Sequence, residues 1–114
     1  MRVLVFGDSI TQGFWDSDGG WIARIRRAYD KQQLKDLSRD EPTVFNLGIS
    51  ADTTQNVLDR FETETIARKG KHELAFVFAI GVNDACPEKG RITPEEFRKN
   101  IEALVSSAQE HSSK

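Results

Sequence analysis

The 114-residue chain has one cysteine, three prolines and two histidines, and it has no strong charge of either sign. Its single cysteine, Cys86, excludes an internal disulfide and is expected to be a small apolar filler in a loop. The formal net charge of −2 leaves no basic footprint for nucleic acid. The longest apolar run, residues 74–80, is far shorter than the ~20 residues of a membrane-spanning helix. One small domain is therefore expected, by default in the cytoplasm, since the chain opens with strand-like residues and not with a signal peptide.

Metal and nucleotide sites are also poorly supported. No spacing of histidine, cysteine and carboxylate residues matches a metal-ligand set, and we expect no metal and no cofactor. The segment from Gly7 to Gly13 lacks the Gly-x-Gly-x-x-Gly pattern of dinucleotide-binding turns. Thr11 also occupies the second glycine position of the Gly-x-Ser-x-Gly elbow of α/β-hydrolases.

Three apolar runs without polar alternation predict three strands, and each run leads into a glycine. The runs are residues 3–6, 44–47 and 74–80, and the glycines are Gly7, Gly48 and Gly81. Continuous apolar runs are typical of strands that are covered on both faces, as in parallel sheets. The sequence therefore predicts a parallel sheet with helices between its strands.

Apolar residues at helical spacing predict three helices between and after these strands. The stripes are Trp21, Ile22, Ile25, Ala28 and Tyr29, then Val57, Leu58, Phe61 and Ile66, then Phe97, Ile101, Leu104, Val105 and Ala108. Asp52 with Gln55 resembles a capping box at the start of the second helix. Thr93 with Glu96 resembles another at the start of the third. The order of strands and helices is that of an α/β fold with parallel crossovers.

Polar residues follow each strand, where a parallel sheet brings strand ends to one edge. They are Asp8 and Ser9, then Asn46 and Gly48, then Asn83 and Asp84. A serine there is suited to attack a carbonyl group. The N–H groups of Ser9 and Gly48 and the amide of Asn83 are candidate donors to the resulting oxyanion.

Four blocks of this sequence resemble the SGNH or GDSL hydrolases. They are Gly7-Asp8-Ser9-Ile10-Thr11 with Gly13, Gly19-Gly20-Trp21, Asn46-Leu47-Gly48-Ile49-Ser50, and Gly81-Val82-Asn83-Asp84. The resemblance covers residues 2 to about 105. It implies a flavodoxin-like three-layer α/β/α sandwich and an esterase, lipase or carbohydrate deacetylase acting on a small acyl ester or acetylated carbohydrate. It makes Ser9 the nucleophile and Gly48 and Asn83 oxyanion donors. Asp8 and Asp84 are candidate substrate-binding residues.

One feature of the family is missing from this chain. The family carries its catalytic Asp and His in a late Asp-x-x-His block, and the sequence ends before such a block. Neither His72 nor His111 has an aspartate three residues earlier, and both are expected to be non-catalytic, with His111 solvated. We therefore expect residues 1–114 to be the N-terminal portion of a single hydrolase domain with three strands, and to be inactive alone.

Structural alternatives remain for several of these residues. Ser9 is also a candidate helix cap, Asp8 a turn-ordering residue, and Asp84 a partner of nearby backbone groups. Trp15 and Trp21 are candidates for lining a substrate groove, although Trp21 fits an apolar helix stripe. A second functional hypothesis is a non-catalytic binding module that self-associates through an exposed edge of the third strand.

Overall fold

Strands and helices alternate along the chain, as the apolar runs predict. A computed structural model describes residues 1–112. The elements are β1 (Arg2–Gly7), α1 (Ser9–Gln12), α2 (Gly20–Lys35), β2 (Thr43–Gly48), α3 (Thr54–Lys69), β3 (Leu74–Ala79) and α4 (Pro94–His111), with a 3₁₀ turn at Pro87–Lys89. Each strand begins within one residue of its apolar run. The short helix α1 and the 3₁₀ turn were not predicted, because neither is long enough to show a helical period.

The three strands form one parallel sheet in the order β2-β1-β3. In the register of this sheet Gly7 lies opposite Gly48 on one side and Ala79 on the other. The carboxyl ends of the strands therefore meet at one edge, as the sequence predicts. The loops that carry the candidate site residues all leave from that edge.

Helices cover both faces of the sheet, so the fold is a three-layer α/β/α sandwich. Alternate β1 residues point in opposite directions, as the two-residue period of a strand requires. Leu4 and Phe6 pack in one cluster with residues of α3 and α4. Val5 packs in a second cluster with Val44 and with Ile22 of α2. The α/β class predicted from the sequence is confirmed.

A group of phenylalanine rings fills the core between the sheet, α3 and α4. Phe61 is buried, and its ring centroid lies 5.2 Å from Phe6, 5.3 Å from Phe76 and 5.9 Å from Phe78. Such tilted pairs contribute about 0.5–1.5 kcal/mol each beyond the burial of their area. Phe61 is therefore the residue that joins α3 to two strands.

The outer edge of β3 has no strand paired to it among residues 1–112. Val77 is 39% exposed there, while Phe76 and Phe78 pack on the opposite face against the core. This edge is the surface on which the self-association hypothesis depends. No helix within residues 1–112 has the length and apolar character needed to cross a membrane.

Two details of the helix predictions are wrong. Ile66 is 62% exposed, because the buried residues of α3 follow the spacing Val57, Phe61, Thr65 and leave Ile66 on the outer side. Ile25 and Val105 are also exposed. The capping box of α3 is also one residue later than predicted.

Thr53, not Asp52, caps α3. The Thr53 side chain accepts the Asn56 N–H, and the Asn56 side chain accepts the Thr53 N–H at 2.9 Å. Asp52 turns inward to pair with Arg60. The predicted box of α4, Thr93 with Glu96, is present.

Candidate active site

Ser9 lies at the first position of α1, directly after β1. Asp8 caps this helix: its Oδ1 accepts the Ile10 N–H at 3.0 Å, and its carbonyl accepts the Gln12 N–H at 2.9 Å. Asp8 is buried, whereas Ser9 is partly exposed. The alternative in which Ser9 caps the helix is therefore wrong, and the Ser9 hydroxyl is left free of that role.

Gly48 packs directly against the turn that holds Ser9. A Cβ atom on Gly48 would lie 2.3 Å from the Gln12 nitrogen and 2.9 Å from the Asp8 carbonyl oxygen. Both contacts are with backbone, which cannot move aside as a flexible side chain would. Only glycine fits this position, because it has no Cβ. The end of β2 and the Ser9 turn are thereby brought within van der Waals contact.

The N–H of Gly48 already has an acceptor in this structure. It donates to Asn46 Oδ1 at 3.0 Å, and Asn46 Nδ2 in turn donates to the Thr11 carbonyl at 2.9 Å. Asn46 thus joins β2 to α1 through its side chain. An oxyanion bound at Gly48 would have to share this N–H with Asn46 or replace it.

Asn83 follows β3 and is partly buried. Its Nδ2 donates to the Asp52 carbonyl at 2.9 Å. A side-chain amide has two N–H groups, so this bond fixes the amide and leaves a second donor. The loop after β3 is thereby tied to the turn between β2 and α3.

Asp84 is buried beneath this loop at the N-terminus of α3. Its carboxylate accepts the Thr54 N–H at 3.0 and 3.1 Å and the Thr54 hydroxyl at 2.5 Å. Asn100 of α4 donates to the same hydroxyl oxygen at 2.9 Å. These contacts are with protein groups, as in the alternative that makes Asp84 a partner of nearby backbone. Contact of Asp8 or Asp84 with a substrate stays a prediction.

Arg60 of α3 is a part of this region that the sequence reasoning missed. Its side chain is 16% exposed. Nε lies 2.9 Å from Asp52 Oδ2, and Nη2 donates to the Leu47 carbonyl at 2.7 Å. The sequence contains a signal for this role, since Arg60 directly precedes Phe61 of the apolar stripe. A charged residue at the border of such a stripe needs a polar partner when it is buried.

Both histidines lie at the edge of the sheet opposite Ser9. His72 is exposed just before β3, and His111 ends α4 beside it, where the two line one surface depression. A strand of six residues such as β3 spans about 16 Å. Among residues 1–112, no histidine is therefore near Ser9. His111 is not solvated as predicted: its Nε2 lies 2.7 Å from Glu62 Oε2, and its ring packs near Phe61.

The loop between α1 and α2 carries an exposed aromatic pair. Trp15 is 92% exposed, and its ring centroid lies 5.2 Å from that of Phe14. Its backbone has a positive φ of 64°. Arg24 holds this loop by a two-bond contact with Asp16 at 2.8 and 3.1 Å, and this hydrogen bonding lowers the pKa of Asp16 to about 2. Trp21 instead packs beside the cluster under α2. Trp15 as a substrate-lining residue stays a prediction.

The structure thus places three candidate residues, Ser9, Gly48 and Asn83, at the same edge of a parallel α/β sheet. Residues 5–114 match the model of the GDSL-like lipase/acylhydrolase family, and the chain belongs to that family. The family resemblance stated from the sequence is thereby confirmed. Within residues 1–112 no group of three or more histidine, cysteine or carboxylate residues is arranged to hold a metal ion.

The chain is also similar to one curated protein and to solved structures of the same family. The chain is 32% identical over 118 residues to a protein of Bacillus subtilis (strain 168) named "Uncharacterized lipoprotein YqeF", with 96% of this chain and 44% of that protein covered. The structure of AlinE4, an SGNH-hydrolase family esterase, matches with a TM-score of 0.75 at 25% identity over 96% of this chain and 53% of that one. The lipase/acylhydrolase from Enterococcus faecalis matches with a TM-score of 0.63 at 30% identity, over 93% and 51%. The chain thus spans about half the length of these relatives.

Proposed function

We propose that Ser9 is the nucleophile of a serine ester hydrolase, with oxyanion donors from the Ser9 N–H, the Gly48 N–H and the Asn83 amide. The observation that carries the proposal is the contact of Gly48 with the backbone on both sides of Ser9. Asn83 supports it, since its amide is fixed by Asp52 and keeps one free N–H direction. Membership of a lipase/acylhydrolase family gives the reaction class.

The reaction would proceed in two steps through an acyl-enzyme. Ser9 Oγ attacks the ester carbonyl carbon, its proton passes to a general base, and the carbonyl oxygen becomes an oxyanion held by the three donors. The tetrahedral adduct collapses, and the alcohol leaves with a proton. Water then attacks the acyl-Ser9 ester and releases the acid, which restores the hydroxyl.

The general base of this scheme is proposed to lie outside residues 1–112. His72 and His111 are at the far edge of the sheet, about one strand length from Ser9. We propose that the chain is the N-terminal portion of a single hydrolase domain, since relatives of twice the length share its fold. On this proposal the 114 residues alone have little activity, because an unassisted serine hydroxyl is a weak nucleophile at neutral pH.

The proposed substrate is a small acyl ester or an acetylated carbohydrate. An apolar surface pocket lined by Gly81, Ile92, Pro94 and Phe97 adjoins the Asn83 loop and would suit a short acyl group. The proposed reaction needs no cofactor. Cytoplasmic location stays a prediction, and the name of the B. subtilis relative includes the word lipoprotein.

Ester hydrolysis tests the proposal directly. Two proteins would be assayed on p-nitrophenyl acetate: the 114-residue chain, and the product of the full reading frame that contains it. We expect the longer product to be active, Ser9→Ala to abolish that activity, and the 114 residues to be nearly inactive. The matched control is Ser17→Ala, an exposed serine of the α1–α2 loop, which should leave activity unchanged. Activity that survives Ser9→Ala would contradict the proposal.

The second candidate function is a non-catalytic, self-associating module. The observation that favours it is the unpaired outer edge of β3 within the described residues, where Val77 is exposed. Unpaired edges of this kind pair readily with other chains. Sedimentation velocity over a hundredfold concentration range would test it. A monomer at every concentration would rule this candidate out, and Val77→Lys should reduce any association that is seen.

A further inference from the structure

The guanidinium of Arg60 is mostly buried, unlike that of an arginine in a surface ion pair. Its guanidinium carbon lies 5.3 Å from the centre of the Phe6 ring, and Nη1 is buried without a hydrogen bond. The carboxylate of Glu64 lies 3.8 Å from Nη1, beyond hydrogen-bond distance. A buried guanidinium with an unsatisfied N–H is costly, and well-packed apolar residues often replace such groups with no loss of stability. The position of Arg60 is therefore better explained by the groups that it does bind.

The first of these groups belongs to the peptide unit that contains the Gly48 N–H. Arg60 Nη2 donates to the Leu47 carbonyl at 2.7 Å. The Leu47 C=O and the Gly48 N–H are the two ends of one planar peptide bond. A positive charge hydrogen-bonded to the C=O polarises that peptide and makes its N–H a stronger donor. It also fixes the plane of the peptide, and with it the direction in which the N–H points.

The second group leads to Asn83. Arg60 binds Asp52 Oδ2 through Nε at 2.9 Å and through Nη2 at 2.8 Å. The main-chain carbonyl of the same Asp52 accepts the Asn83 Nδ2 at 2.9 Å. One guanidinium therefore holds both ends of the short turn between Gly48 and Asp52. That turn contains Ala51 at φ 70°, a strained conformation that needs support from its surroundings.

We propose that Arg60 is the positioning residue that orients and polarises both oxyanion donors, the Gly48 N–H and the Asn83 amide. This inference rests on the proposed function of those two groups. In this proposal Arg60 does not contact the substrate. It acts on the two donors through its hydrogen bonds to the Leu47 carbonyl and the Asp52 carboxylate. Its loss should lower the stabilisation of the transition state and leave binding of the ground state nearly unchanged.

The test compares Arg60→Met and Arg60→Lys with Arg68→Met, the matched control. Arg68 is also a partly buried arginine of α3, pairs with Glu64 and stacks over the Phe45 ring at 5.9 Å. The kinetic constants kcat and KM would be measured on p-nitrophenyl acetate with the product of the full reading frame, together with its melting temperature. The chemical shift of the Gly48 amide proton would be measured by NMR in the 114-residue chain. The NMR measurement does not depend on catalysis.

We expect Arg60→Met to lower kcat about 10- to 100-fold, somewhat less than removal of a whole oxyanion donor, with KM within about twofold. The Gly48 amide proton should move upfield, and Arg60→Lys should restore part of both effects because it keeps the charge. Arg68→Met should lower the melting temperature to a similar extent with kcat unchanged. If Arg60→Met does not fold, Arg60→Lys takes its place in the test. A lower kcat in Arg60→Lys at an unchanged melting temperature would then support the inference.

Two results would overturn the inference. One is a folded Arg60→Met variant with the kcat of the parent protein, or, if that variant does not fold, an Arg60→Lys variant with the parent kcat. The other is a Gly48 amide proton that does not move more in Arg60→Met than in Arg68→Met. If instead the parent protein shows no hydrolysis that depends on Ser9, the proposed function fails, and the NMR comparison still decides whether Arg60 polarises the Gly48 peptide.

Discussion

Replacing Asp84 with alanine should destabilise this fold more than replacing an exposed aspartate. The Asp84 carboxylate is buried and accepts the N–H and the hydroxyl of Thr54. Hydrogen bonds to a charged group contribute about 1.5–3 kcal/mol each, and a buried donor left unpaired costs about 1–3 kcal/mol. Removal of the buried charge offsets part of this loss. We therefore expect Asp84→Ala to lower the free energy of unfolding by about 3 kcal/mol.

Urea unfolding followed by far-UV circular dichroism would measure this change at one fixed pH. The matched control is Asp59→Ala, since Asp59 is an exposed aspartate of α3, the helix whose first residue Asp84 binds, and accepts a hydrogen bond from Gln55 at 2.8 Å. That substitution should change the unfolding free energy by no more than about 0.5 kcal/mol.

A double-mutant cycle sharpens the test. Thr54→Val removes the hydroxyl that Asp84 and Asn100 share, so the two substitutions should be non-additive by more than about 0.5 kcal/mol. Equal losses in Asp84→Ala and Asp59→Ala, or simple additivity with Thr54→Val, would refute the reasoning that this buried network ties α3 to the Asn83 loop.

Three further predictions follow from particular contacts. Phe61→Ala should lower the free energy of unfolding by about 3–5 kcal/mol, whereas Ile66→Ala on the same helix should change it by less than about 1 kcal/mol in the same urea assay. Gly48→Ala should abolish the ester hydrolysis proposed for the product of the full reading frame and destabilise the fold by at least about 1–3 kcal/mol, because its Cβ would meet backbone 2.3 Å away. The Asp16 carboxyl should titrate near pH 2 by carbon-13 NMR, and Arg24→Gln should return the midpoint toward 3.8. Since folding lowers this pKa, the contribution of the contact to stability is complete above about pH 4 and is lost as the pH falls toward 2.

The sheet could be predicted from the sequence because its signal is local. Each strand is a continuous apolar run, and Gly7 and Gly48 mark where two of them end. The parallel arrangement then follows from the helices that separate the runs. The candidate residues Ser9 and Asn83 could also be located, because a parallel sheet brings the ends of its strands to one edge.

The supporting groups could not be predicted, because they depend on which side a residue faces. Asp52 and Thr53 are adjacent, and both are suitable helix caps by residue type. In the structure Thr53 caps α3 and Asp52 turns inward, because Arg60 lies two helical turns further on to receive it. His111 was expected in solvent for a similar reason: its partner, Glu62, is distant in sequence and close only after α3 and α4 pack.

Covalent labelling is the most direct test of the proposal that Ser9 is an ester-hydrolysing nucleophile. The product of the full reading frame would be incubated with an ethyl p-nitrophenyl phosphonate ester and digested, and its peptides would be analysed by mass spectrometry. We expect one phosphonylated residue, Ser9, with loss of p-nitrophenyl acetate hydrolysis in proportion to the label. A protein that hydrolyses the ester while its label lies on another residue, or that keeps its activity once Ser9 is fully modified, would contradict it.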